Sequence, residues 1–193
     1  MEADPDVIMV GEVNDRATFN AALESASRGF LTIIAVHANS ASTAVEHLMS
    51  FTRDSRKLAE ALTLVIAQQL VRTLCKNCKE DYQPSEDAFN SLVQEYGEND
   101  FPKLGLEYGA FLTLKKPMGC QMCNESGFSG RVALHEVLEV SPKIKRLIRC
   151  KSDVEEIRKQ AQRDGMTTMK QDAIMKVLKG TCELKHAFSH FQI

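Results

Sequence analysis

An α/β fold carrying an inserted tetracysteine metal subdomain and a helical C-terminal part is the architecture this sequence predicts. Three observations carry that reading. A strand, an amphipathic helix and a second strand succeed one another over residues 6–36, four of the six cysteines form two C-x-x-C pairs, and beyond Ser141 apolar residues recur at helical spacing. The 193 residues suffice for one compact domain, or one domain with a small satellite. At 44% hydrophobic and 26% charged, the chain can bury a sizeable core and is not disordered as a whole. A net charge of −2 supplies no field for polyphosphate backbones and argues against a nucleic-acid partner. No segment reaches the roughly 18 apolar residues of a membrane span. The first residues, Met1-Glu2-Ala3-Asp4-Pro5-Asp6, lack the basic flank and apolar stretch of a secretory signal, so the thiols are expected to stay reduced in a cytosolic setting.

Asp6 to Val10 reads as a short apolar strand ending at Gly11-Glu12. Asp15 offers an N-cap, and Phe19, Ala22, Leu23 and Ala26 recur at i, i+3, i+4, i+7 until Gly29 stops the helix. Phe30 to Val36 is a continuous apolar run, which predicts a strand buried on both faces and, across the intervening helix, parallel pairing. Ser40 to Ser42 cap a second helix; Leu58, Ala61, Leu62 and Val65 mark a third; a strand around Gln69 to Leu74 leads into the first cysteine pair. The polar stretch Glu80 to Lys116 predicts an inserted, partly helical excursion. Arg131 to Val140 predicts a strand whose natural partner is the one before Cys75. Ser141-Pro142 opens a helix, Ser152-x-x-Glu155 reads as a capping box for the next, Thr168 opens a third that Gly180 closes, and Leu184, Ala187, Phe188 and Phe191 finish the chain at helical spacing.

Cys75-x-x-Cys78 and Cys120-x-x-Cys123 form two identical knuckles, the pattern of a structural zinc site in which four thiolates take tetrahedral corners. Two redox pairs are the alternative reading of the same spacing. Lys76, Lys79, Lys115 and Lys116 stand nearby and are expected to moderate the thiolate charge. The spacer between the pairs is longer than the roughly 15–20 residues of compact zinc ribbons, hence the insertion. Cys150 and Cys182 read as ordinary buried or half-buried thiols, and Met166, Met169 and Met175 as core filler.

Glu12 and His37 fall at the C-terminal ends of consecutive parallel strands, where α/β sheets gather their ligands. A carboxylate there can orient an attacking water, and a histidine on the next strand can face a transferred phosphoryl group. The plain alternatives are a solvated strand-end acid and a structural histidine. No G-x-x-x-x-G-K-[ST] loop occurs in these residues, so the phosphates lack their usual cradle.

The segment Asp4-Pro-Asp-Val-Ile-Met-Val-Gly-Glu-Val-Asn-Asp15 resembles the Walker B segment of the ATPases of type II secretion and type IV pilus assembly. Gly29-Phe-Leu-Thr-Ile-Ile-Ala-Val-His-Ala-Asn-Ser40 looks like their histidine box, and Ala67-Gln-Gln-Leu-Val-Arg-Thr-Leu-Cys-Lys-Asn-Cys78 like the entry to their tetracysteine subdomain. Gly119-Cys-Gln-Met-Cys123, the run Gly127 to Leu138 and Gly165-Met-Thr-Thr-Met169 complete the order. The resemblance implies the C-terminal part of a RecA-like P-loop NTPase core: residues 1–74 the partial ATPase core, 75–123 the zinc subdomain with its insertion, 124–140 a returning core strand, and 141–193 a C-terminal helical subdomain. It implies Glu12 and His37 as catalytic residues, Asp15 and Arg16 as nucleotide-associated, and Cys75, Cys78, Cys120 and Cys123 as zinc ligands. ATP and Mg²⁺ are implied for the complete protein, together with a cytoplasmic homo-hexamer at a bacterial inner membrane and a membrane platform protein as partner. Asn14 stands where the family pattern G-E-x-R-D has Arg, with Arg16 as a substitute. A fragment without the Walker A half is expected not to hydrolyse ATP alone. The competing expectation is a non-enzymatic, zinc-stabilised module that docks on the platform.

Overall fold

A computed structural model describes residues 5–109, 112–189 and 191. In chain order its elements are β1 (Val7–Val10), α1 (Arg16–Ser27), β2 (Leu31–Ile34), α2 (Ala41–Phe51), α3 (Ser55–Ala61), β3 (Leu64–Leu74), β4 (Glu80–Tyr82), α4 (Glu86–Tyr96), β5 (Leu114–Lys116), β6 (Phe128–Glu139), α5 (Pro142–Cys150), α6 (Val154–Arg163), α7 (Met169–Leu178) and α8 (Leu184–Phe188). The fold is α/β. Two compact units share it, one built on residues up to Ala67 together with Glu136–Thr167, the other on Gln68–His135 and the residues from Thr168.

In the first unit β1 and β2 pair in parallel, Val7 opposite Leu31 through Val10 opposite Ile34, as a strand–helix–strand unit requires. Asp15, Ser40 and Asp54 cap α1, α2 and α3 by accepting amides three residues on. Phe19 and Leu23 of α1, Val45 and Leu48 of α2, Leu58 of α3, Ile144 and Ile148 of α5 and Ile157 of α6 are buried. Helix α1 packs on β2 and α3, α3 on α5, and α2 on α6.

Three sequence expectations need correction here. β2 is not buried on both faces: Leu31 is 60% and Ile33 49% exposed, beside Val7 at 49% and Met9 at 73% on β1. Helix α1 covers one face of the pair, and an apolar run cannot report whether a second layer exists within the same chain. Helix α3 ends at Ala61 rather than running through Val65, and β3 begins at Leu64 instead of near Gln69. The alternation of exposed Leu64, Ile66 and Leu70 with the less exposed Val65, Ala67, Gln69 and Val71 is a period of two, and pairing with β6 realises it. The cap of α6 is Asp153, which accepts from the Glu156 N–H (2.8 Å), not Ser152. The Ser152 N–H is already spent closing α5, donating to the Leu147 carbonyl at 3.0 Å.

β3 and β6 pair, and the bonds beyond their ends fix the direction as antiparallel. Val140 N–H donates to the Thr63 carbonyl (3.0 Å) at one end and Cys75 N–H to the Gly127 carbonyl (2.9 Å) at the other. This is the pairing expected from the sequence.

In the second unit, the spacer between the cysteine pairs contributes the antiparallel pair β4–β5, Glu80 opposite Lys116 through Tyr82 opposite Leu114, and the helix α4. Helix α4 lies on α7, with Leu92, Phe101 and Ile174 buried. The edge of Phe89 meets Phe101 at 5.5 Å between ring centres. The excursion is therefore a packed element, partly helical as predicted. The final helix stops at Phe188, short of the predicted Phe191.

Candidate functional site

β1 and β2 run parallel, so both deliver their following residues to one edge of the pair. The ladder continues past the strands. Ala35 N–H donates to the Val10 carbonyl (3.2 Å), and Val13 N–H donates to the Ala35 carbonyl (2.9 Å). Val13 is fully buried and anchors the turn. These bonds bring Glu12 and His37 side by side, with His37 Nε2 2.9 Å from Glu12 Oε1. Both remain open to solvent, the histidine side chain 87% and the glutamate 53% exposed. Solvent screening leaves a contact this exposed little to add to the stability of the fold.

A hydrogen bond from Asn14 holds the Glu12 carboxyl below the usual carboxylate range, aided by the hydrogen bond and charge of His37. Glu12 is thus an anion at neutral pH, able to orient a water or another donor. Asn14 was read from the sequence only as a departure from the arginine of the family pattern; its partner is Glu12. Asp15 is engaged as the α1 cap, taking the Thr18 N–H on Oδ1 (2.9 Å) and the Thr18 hydroxyl on Oδ2 (2.7 Å). Arg16 donates through Nη2 to the Ser50 carbonyl (3.3 Å) in the last turn of α2. The structure therefore brings Glu12 and His37 together and turns Asp15 and Arg16 to helix termini.

The four cysteines form a separate centre. Cys75 follows β3 directly, and Cys120 caps a single 3-10 turn whose last residue is Cys123. All four sulfurs lie within 4.8 Å of one another. The close edges measure 4.0 Å (Cys75–Cys120), 3.8 Å (Cys78–Cys123) and 3.7 Å (Cys120–Cys123). A tetrahedron with zinc–sulfur bonds of about 2.3 Å has edges of about 3.8 Å, so the donor set fits one zinc ion. A disulfide needs about 2.05 Å, and none of the six thiols is bonded to another.

Backbone amides, rather than the lysines expected from the sequence, face the sulfur at Cys123: the N–H groups of Cys120 (3.3 Å) and Gly127 (3.2 Å) both donate to its Sγ. Lys115 and Lys116 pair instead with Asp81 (2.6 Å) and Glu80 (3.8 Å), and Lys79 donates to the Gly180 carbonyl (2.7 Å). Burial pushes the Cys123 thiol up, but those amides and the thiols of Cys120 and Cys78 outweigh it and bring the thiol to about 6. Burial, reinforced by the other three thiols, pushes Cys78 up to about 11. Gly127, at φ +73°, has no room for a side chain, since a Cβ there would meet Pro117 Cβ at 2.5 Å.

A family model described as "Type II/IV secretion system protein" matches residues 1–189. The chain belongs to that family. Among curated relatives, the type IV pilus assembly ATPase PilB of Thermus thermophilus is 33% identical over 189 residues, covering 98% of this chain and 20% of the relative. PilB of Pseudomonas aeruginosa is 31% identical over 96% of the chain and 31% of its own length. The type II secretion system protein E of Aeromonas hydrophila is 30% identical over 96% of the chain and 34% of its own length. The chain thus spans a fifth to a third of these family members. Solved structures of the ATPase DotB share the fold: the Legionella pneumophila protein with TM-score 0.58 at 21% identity, covering 95% of this chain and 38% of that one, and the Yersinia pseudotuberculosis protein with 0.60 at 18%, covering 97% and 37%.

Proposed function

We propose that this chain is the Walker B and histidine-box portion of a secretion or pilus-assembly ATPase, and that Glu12 and His37 act on nucleotide in the complete protein. The observation that carries the reading is the Glu12–His37 contact at the C-terminal edge of the parallel pair, the edge where α/β folds bind ligands. Glu12, kept anionic by Asn14 and His37, orients the attacking water by accepting its proton in a hydrogen bond. His37 holds that carboxylate in place and meets the terminal phosphate with its imidazole. Mg²⁺, carried on the phosphates, supplies charge neutralisation when bound. Asp15 and Arg16 contribute through the helix termini they fasten.

In this reading residues 1–74 are part of a RecA-like core, the four cysteines hold a structural Zn²⁺ that stabilises residues 75–123, residues 124–140 return to the core, and residues 141–193 form a helical subdomain. The complete protein works as a cytoplasmic hexamer against an inner-membrane platform protein. Among the described residues no helix is long and apolar enough to cross a membrane. The chain lacks a phosphate-cradling loop, and positioning is most of what catalysis of phosphoryl transfer consists of. These residues alone are therefore not expected to turn over ATP. The test is phosphate release by the complete gene product. Glu12→Gln should lower kcat by about 10²-fold or more, the contribution of a positioned general base. Equal turnover would overturn the role given to Glu12, and no turnover by the unaltered complete gene product would favour the non-enzymatic docking module.

A further inference from the structure

Among the described residues Glu136 is the one buried acid, 4% exposed near the middle of β6. Its Oε1 accepts the Ala41 N–H at 2.8 Å, across 95 positions of sequence. Ala41 is the first residue of α2, and the loop from β2 to α2 carries His37.

A helix leaves its first amides without intrahelical partners, and a local residue commonly satisfies them. Here that cap is already present: Ser40 Oγ accepts the Thr43 N–H at 3.1 Å. A buried carboxylate from a distant strand is not needed for capping, and burying it is unfavourable unless its hydrogen bonds offset the lost hydration. What Glu136 adds is a tertiary tie. The loop is already fixed at its β2 end, where Ala35 bonds to Val10 and Val13. Glu136 fixes the other end, at Ala41. Between these two anchors the chain has little freedom, and His37 is held within 2.9 Å of Glu12 despite standing in solvent.

We propose that Glu136 is a positioning residue for the Glu12–His37 pair, acting through the Ala41 amide. Its catalytic consequence rests on the nucleotide reading above; the tie itself does not. Two variants separate acceptor from volume. Glu136→Gln keeps an oxygen for Ala41, whereas Glu136→Leu fills the space with none.

Amide hydrogen exchange on this chain should show Ala41 exchanging about tenfold faster or more in the leucine variant, with Thr43, held by Ser40, within about threefold and the glutamine variant near wild type. In the complete gene product the leucine variant should lower kcat for ATP about tenfold with KM within about twofold, and glutamine should restore most of it. Unchanged Ala41 exchange overturns the proposal. So does an unchanged kcat beside an inactive Glu12→Gln. A Glu12→Gln protein as active as wild type overturns the nucleotide reading instead, and the exchange comparison then decides alone whether Glu136 holds the loop. If the leucine variant does not fold, Glu136→Asp, which draws the acceptor back by one methylene, is read by the same two measurements.

Discussion

On the proposed zinc reading, withdrawing the metal from the four-cysteine centre is the perturbation with the largest expected effect. Three sulfur–sulfur edges of 3.7–4.0 Å, with every pair within 4.8 Å, lie close to the tetrahedron of about 3.8 Å that zinc imposes, so only a modest rearrangement is needed to bind it. With free metal at about 1,000 times its Kd, linkage adds about 4 kcal/mol to local stability, or about 10³-fold in the opening equilibrium. The reporters are two amides beside the cysteine centre. Cys75 N–H donates to the Gly127 carbonyl at 2.9 Å, and Gly127 N–H donates to Cys123 Sγ at 3.2 Å. Hydrogen exchange before and after chelation should show both speeding by roughly that factor, while Phe19 N–H in α1, bonded to the Asp15 carbonyl at 3.1 Å, holds its rate. The pH dependence has a defined sign. Cys78, at about 11, must lose a proton to bind metal at neutral pH, whereas Cys123, at about 6, is already a thiolate. Zinc uptake therefore releases protons and tightens as pH rises from about 6 to 8. Metal analysis should give one zinc per chain, lost in the Cys120→Ser, Cys123→Ser double variant. Exchange unmoved by chelation, or purified protein holding no zinc and four titratable thiols, would refute the reasoning.

Gly127→Ala should destabilise the same centre by about 3 kcal/mol, because it adds both left-handed backbone strain and a 2.5 Å clash with Pro117; wild-type zinc affinity and melting temperature in that variant would contradict this. Ser141→Ala removes the α5 cap, which takes the Ile144 N–H at 3.3 Å, and the hydroxyl that donates to Asp164 at 2.6 Å. The loss should be about 1 kcal/mol in urea melts at pH 7. That hydroxyl is the main cause of the lowered Asp164 carboxyl, so the stability it lends is present above about pH 4 and lost as pH falls through the folded-state value. The gap between variant and wild type should accordingly narrow in acid, and a gap that widens there would count against the assignment. Asn14→Ala should let the Glu12 carboxyl rise toward its ordinary range, read by carbon NMR of the side-chain carboxyl; an unmoved titration would show that Asn14 does not hold it.

What could be read from the sequence was whatever the chain encodes locally. Glu12 and His37 each follow a short apolar strand, and the parallel pairing that joins them follows from one intervening helix, so their meeting was legible. The cysteine centre was legible because two C-x-x-C turns leave few geometries for four sulfurs. What escaped is settled by distant partners. Val65 sits at helical spacing after Leu58, yet pairing with β6 claims it for β3. The lysines near the cysteines were read as charge compensation, but carboxylates and a carbonyl hold three of them and backbone amides meet the sulfur. Glu136 lies inside the run Gly127 to Leu138 with no role legible there, since nothing in a strand residue's neighbours reveals an amide 95 positions away. A glutamate at a strand position otherwise spaced for burial, between Leu134 and Leu138, was the one available signal.

The uncovered face of β1 and β2 shows where the rigidity of the site must come from. A two-stranded sheet is marginal by itself, and this one has four paired positions and one helix-covered face. Parallel sheets ordinarily carry cover on both faces. Covering Val7, Met9, Leu31 and Ile33, which are 49–73% exposed, would contribute about 1 kcal/mol apiece, on a scale of about 1.5–3 kcal/mol for complete burial of such side chains. Solvent screening leaves the exposed Glu12–His37 pair little to contribute, so it does not hold the strand ends in place; the backbone ladder of β1 and β2 holds the pair. Glu12 and His37 stand where those two strands end, their contact set by the strand register, with Glu136 securing the far end of the histidine loop at Ala41.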